Sequence, residues 1–126
     1  MIINDPEVIA ELRALYAEYE QALVSNDVEK LIGMFWEAPQ VMRFGVTENL
    51  YGREEIEDFR KGRPATNLAR TVTRLDIVSF DRHFASITLE FERPSSTGLL
   101  RGRQSQTWVR TLQGWRIAAA HVSQLQ

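Results

Sequence analysis

The sequence predicts an α+β fold on three observations. Apolar residues recur at helical steps in the first half of the chain. They alternate at period two in the second half. The two kinds of segment are segregated rather than interleaved. A chain of 126 residues suits one domain, taken as residues 1–126, and is long enough to bury a substantial core.

The elements follow in order. Asp5 and Pro6 read as an N-cap and a first helical position. Ile9, Leu12, Tyr16, Tyr19 and Leu23 then recur at steps of three and four, which is one face of a helix, while Glu11, Glu18 and Glu20 lie off that stripe. "SND" ends the helix, Asp27 caps a second helix through "VEKLIGMFW", and Pro39 closes it. "QVMRFGV" reads as a strand and "TENLYG" as a turn with a short extended piece. "GREEIEDFRKGR" reads as a third helix whose acidic run is a solvated face, and "PATNLA" as a loop. Four strands remain: "RTVTRLDIVSF", "HFASITLEFERP", "LLRGRQSQTWVR" and "WRIAAAHVSQL". The last two flank "TLQG" as a hairpin. A long curved antiparallel or mixed sheet wrapped around three helices leaves a cone-shaped cavity, a natural place for a small ligand.

The hairpin also predicts a register. If Arg110 faces Trp115, then Trp108 faces Ile117, Gln106 faces Ala119 and Gln104 faces His121. The bulky apolar residues mark that side as inward, so Gln104, Gln106 and His121 are expected to project into the interior. A slip of one residue would reverse this.

Composition narrows the function. Hydrophobic residues make up 44% and charged residues 25%, as in an ordinary globular domain, and the net charge of −2 offers nothing to nucleic acid or an anionic membrane. There is no cysteine, hence no disulfide or thiolate chemistry. No apolar run approaches the roughly 20 residues of a membrane span, and the N-terminus has no secretory-signal pattern. The expectation is a soluble cytoplasmic protein. Two histidines without helical His–Glu spacing make a metal site unexpected; glycine-rich dinucleotide and P-loop patterns and a nucleophile elbow are missing.

Several residues remain as candidates for chemistry. Arg43 sits between Met42 and Phe44 in a segment that reads as buried strand. A buried guanidinium needs an anion, supplied either by a carboxylate such as Glu48 or one on the third helix, or by a ligand that it grips through two parallel hydrogen bonds. Tyr19 is either a core tyrosine or a phenol aimed into the cavity, with Tyr16 one turn earlier competing for that role. Arg70, at a strand start, is either solvated or a ligand contact; Arg63 and Arg103 are weaker candidates, with Arg103 facing outward. His121 is either a satisfied core histidine or a proton carrier, and His83, beside a turn, reads as exposed.

The blocks "RFGVTENLYGREEI", "RPATNLARTVTRLDIVSF" and "GRQSQTWVRTLQGWRIAAAHVSQ" resemble the AtzH-like family, small members of the SnoaL-like (nuclear transport factor two-like) superfamily that include oxalurate-catabolism proteins. The likeness runs from about Pro6 to Gln124. It implies a cone-shaped barrel, cystatin-like in fold, and a homodimer formed through the outer face of the sheet. It also implies association with amidase-signature hydrolases in the catabolism of nitrogenous compounds. The implied activity is a metal-independent, decarboxylating amidohydrolase step of the type that converts 1,3-dicarboxyurea to allophanate in the cyanuric acid pathway, with no cofactor. The implied catalytic pair is Tyr19 and Arg43, and Arg70, Gln104, Gln106 and His121 are expected to orient the urea core.

Three readings compete. One is an enzyme acting on a small N-carboxylated urea or amide, with Arg43 taken to be a cation lacking a protein counter-ion. Another is a non-catalytic metabolite-binding or accessory protein for a partner amidase. The third, an isomerase-like proton shuttle on a hydrophobic ligand, fits poorly with two glutamines on the inward face.

Overall fold

The computed structural model describes residues 1–125. Helix α1 spans Pro6–Ser25. Asp5 caps it by accepting from the Glu7 N–H, and Asn26 ends it in the left-handed conformation that closes many helices. Its inward stripe is Val8, Leu12, Tyr16, Tyr19, Ala22 and Leu23, all buried, with Ile9 only partly so. Helix α2, Val28–Gly33, starts at the Asp27 cap as expected but stops short of Trp36. The sheet captures the backbone that follows: Ile117 donates to the Met34 carbonyl and Trp36 donates to that of Ile117. These ladder bonds replace helical ones, and Phe35 is buried beside them.

Strands β1 (Met42–Phe44) and β2 (Asn49–Tyr51) form a short antiparallel pair, followed by α3 (Gly52–Gly62). The meander is β3 (Thr71–Phe80), β4 (Phe84–Ser95), β5 (Gly98–Thr111) and β6 (Gly114–Gln124). One six-stranded sheet results, in the order β2-β1-β6-β5-β4-β3, with β1 parallel to β6 and every other pairing antiparallel. Its inner face presents Ile87, Leu89 and Phe91 of β4, Trp108 of β5 and Ile117 of β6 to the core shared with α1. Among the described residues, no helix is long and apolar enough to cross a membrane.

The β5–β6 register departs from the regular one. Arg110 pairs with Trp115 and Trp108 with Ile117 as predicted, but Thr107 then pairs with Ala119, Gln106 with Ala120 and Gln104 with Val122. Ala118 is therefore an extra residue on β6, a β-bulge, and it inverts the alternation beyond it. Gln104 and Gln106 still point inward and are buried. His121 is instead on the outer face, where it is exposed and packs edge-on against Phe44 at 5.9 Å. Its expected place in the interior is thus corrected.

Candidate active site

A cavity of about 380 Å³ lies between α1, α3 and the sheet. Its walls carry the guanidiniums of Arg43, Arg63, Arg70 and Arg93, against a single carboxylate, Glu48. Tyr19 and Gln104 also line it, with Phe59, Leu68, Phe91 and Val122 as apolar wall.

Tyr19 arrives there because it continues the inward stripe of α1. The residue is 1% exposed, and its hydroxyl accepts a hydrogen bond from Arg60 Nη2 at 3.2 Å. Burial would raise its pKa, but the cations of Arg60, Arg43 and Arg70 outweigh that and bring it below the ordinary tyrosine value. Tyr16, the competing tyrosine, is committed elsewhere. It donates to Glu20 at 2.8 Å, and burial pushes its pKa well above normal.

Arg43 is buried, as its place between two apolar residues predicts, but it does have a protein counter-ion. Its Nη1 meets Glu48 Oε1 at 2.9 Å, so the expectation of an unpaired cation is overturned. The β1–β2 turn folds Glu48 back onto its own strand, and Gly45 leaves the space for that carboxylate, which a Cβ there would overlap. Glu48 is also held by the Thr47 hydroxyl at 2.8 Å. The contact with Arg43 uses one nitrogen of the fork, and Arg43 Nε is buried with no partner among the described residues.

Arg70 is likewise paired. It forms a two-pronged contact with Glu20, 2.9 Å from Nε and 2.8 Å from Nη2, and lies 4.3 Å over the Phe91 ring. Its Nη2 also donates to Gln104 Oε1 at 3.0 Å, which brings two of the candidate residues together. Gln106 is one step deeper and does not line the cavity; its Oε1 accepts from Trp108 Nε1 at 2.9 Å. Arg63 lines the wall and donates to Asn26. Arg103 and His83 are exposed, as predicted.

Arg60 is the residue that the sequence reading missed. It is fully buried, its Nη2 bonds the Tyr19 hydroxyl, and its Nε and Nη1 have no partner among the described residues. Burial lowers its pKa to about 10; the Tyr19 oxygen opposes this, and Arg43 and Arg63 add to it. The signal was available: Ile56, Phe59, Arg60 and Arg63 fall at i, i+3, i+4 and i+7, so an arginine stands on the inward stripe of α3. Among the described residues no three His, Cys, Asp or Glu side chains converge as they would around a metal ion.

A second hollow of about 520 Å³ lies on the outer face of the sheet and includes His121, Arg103, Arg74 and Glu90. Those side chains are exposed and of mixed charge, unlike the buried set around Tyr19.

The model of one protein family, described as AtzH-like, matches residues 1–126. The chain belongs to the AtzH-like family. Among solved structures, this AtzH-like chain is 43% identical to a protein of unknown function of the DUF3225 family from Pectobacterium atrosepticum SCRI1043, with a TM-score of 0.93, covering 98% of this chain and 95% of that one. It is 38% identical to a cystatin-like fold protein from Burkholderia xenovorans LB400, with a TM-score of 0.90 and coverage of 99% and 97%. An NTF2-like protein of unknown function from Pseudomonas putida KT2440 shares the fold alone, at 14% identity, a TM-score of 0.82 and coverage of 94% and 87%. No curated protein matches. The AtzH-like domain is thus a cystatin-like, NTF2-like α+β fold, in agreement with the fold class expected.

Proposed function

We propose that the protein is a small enzyme that removes carbon dioxide from an N-carboxylated urea or amide, of the 1,3-dicarboxyurea-to-allophanate type. The observation that carries this reading is a buried phenol at the wall of a cavity whose charge is four guanidiniums against one carboxylate. Such a cavity takes up a small anion and strips it of water.

The chemistry asks little of the protein. As the bond between nitrogen and the carboxylate carbon breaks, carbon dioxide leaves and the electron pair stays on nitrogen. Tyr19 gives that nitrogen its proton, and water later restores the phenol. Arg43 offers the substrate carboxylate the part of its fork that Glu48 does not occupy. Gln104 and Arg70 face the carbonyl and amide groups of the urea. Positioning and one general acid together suit this reaction, the acid contributing roughly 10²–10⁴-fold.

The test is to incubate the purified protein with 1,3-dicarboxyurea and to measure allophanate and carbon dioxide. Tyr19→Phe should lower kcat by roughly 10²–10⁴-fold. Arg43→Lys should lower kcat/KM because it loses the planar fork, and both variants should stay folded. Full turnover in either would refute the assignment.

A second reading, a non-catalytic metabolite-binding or accessory protein for an amidase, is favoured by one observation. Both Arg43 and Arg70 already hold carboxylates, and the hydrogen-bond partner of Tyr19 is a cation rather than a carboxylate or imidazole base. Saturable binding without turnover would support it.

A further inference from the structure

Arg60 stands behind Tyr19. It does not line the cavity, it is fully buried, and its hydrogen bond goes to the Tyr19 oxygen at 3.2 Å. An unpaired guanidinium in that position costs stability, and burial lowering its pKa to about 10 expresses that cost. Ile56 fills the preceding turn of the same stripe with an apolar side chain, and an apolar residue at 60 would remove the penalty. The charge is therefore explained by what it faces.

We propose that Arg60 is a positioning residue of this site: it fixes the Tyr19 oxygen from behind and balances the phenolate formed when Tyr19 gives up its proton. A phenolate beside Arg60 turns an uncompensated buried cation into a buried ion pair. The step that leaves negative charge on Tyr19 is thus the step that satisfies Arg60. The other charged groups around Tyr19 are accounted for. Arg43 on β1 is shared with Glu48, Arg70 ahead of β3 is shared with Glu20, and Arg63 at the end of α3 bonds Asn26. Arg60 is the member of this cluster whose partner is the phenol. The lowered pKa of Tyr19, in which Arg60 is the largest cationic influence, agrees with this geometry.

The role in proton delivery rests on the reaction proposed above, but the Arg60–Tyr19 coupling can be read without substrate. The measurement is an ultraviolet titration of tyrosinate in the folded protein, which has three tyrosines. In the wild type one tyrosine should ionise below the ordinary value of 10.0, and Tyr19→Phe should abolish that transition. Arg60→Met should move it upward by about one pH unit or more. Arg60→Lys, which keeps a cation, should recover part of the shift. In the wild type the alkaline limb of kcat should follow the same transition, because Tyr19 must hold its proton to act as an acid. An unchanged transition in a folded Arg60→Met protein would overturn the proposal. Should that variant not fold, the wild type decides alone: no low transition removed by Tyr19→Phe overturns it equally. Failure of turnover in a protein that shows the low Tyr19 transition and its upward move in Arg60→Met would instead count against the reaction, not against Arg60.

Discussion

Arg43 and Arg60 carry the same guanidinium into one neighbourhood and meet opposite fates. Arg43 finds Glu48 five residues along its own hairpin; Arg60 finds no carboxylate and takes a phenol. The first pairing has a pH signature. Burial would raise the Glu48 pKa, but Thr47 and Arg43 hold it below the ordinary 4.5. In the window between that lowered value and 4.5 the unfolded chain binds more protons than the folded one. The stabilisation is therefore complete above 4.5 and is lost as pH falls through the folded value. Urea unfolding at a series of pH values should show Glu48→Gln less stable than wild type near neutrality, with the gap closing in that acid window. A gap independent of pH would mean that the Glu48 charge contributes nothing.

At the scale of elements, the cavity is shaped by where strands bend and where they leave room. The Ala118 bulge turns Ala120 inward beside Arg43 and sends His121 outward. On β5, Gly102 pairs with Phe91, whose ring occupies the space that a Cβ at Gly102 would need. That ring in turn lies under Arg70. Gly102→Ala should push Phe91 out of place and destabilise the fold by about 1–3 kcal/mol in chemical denaturation. It should also weaken anion binding, since the Arg70 platform moves. Wild-type stability in this variant would show that Phe91 repacks freely. The brevity of α2 belongs to this scale too: hydrophobic residues through Trp36 extend the helical pattern, but a backbone ladder to β6 competes for the same carbonyls and wins.

For the whole molecule, the charge is distributed unevenly. A chain with net charge −2 concentrates guanidiniums around one cavity, and the proposed function expects a small anion there. The outer face of the sheet has a different character. Met42, Tyr51 and Phe84 are exposed there or at its edge, and Arg74, Glu90 and Arg103 supply both signs of charge. We propose that this face pairs with a second copy of itself. Sedimentation at micromolar concentration should show a homodimer, and a stable monomer would contradict this.

The sequence by itself determined the order of elements, the inward stripe of α1, the segregated α+β architecture and the family. The family follows from resemblance of whole sequence blocks; the rest follows from periodicity and from residues a few positions apart, where helix and strand geometry alone decide which side chains share a face. It also aimed Tyr19, Gln104 and Gln106 inward. It offered Glu48 as one partner for Arg43, five residues away, but only the tertiary structure decided which distant charges meet. Arg60 and Tyr19 are 41 residues apart and Arg70 and Glu20 are 50 apart, and no local spacing encodes those encounters. One extra residue at Ala118 was enough to put His121 on the wrong face, because a period of two reverses with every single insertion. Partners far apart in sequence are chosen by packing over distance: the place of Arg60 on the inward stripe of α3 could be read from the helix pattern, but its phenol partner could not.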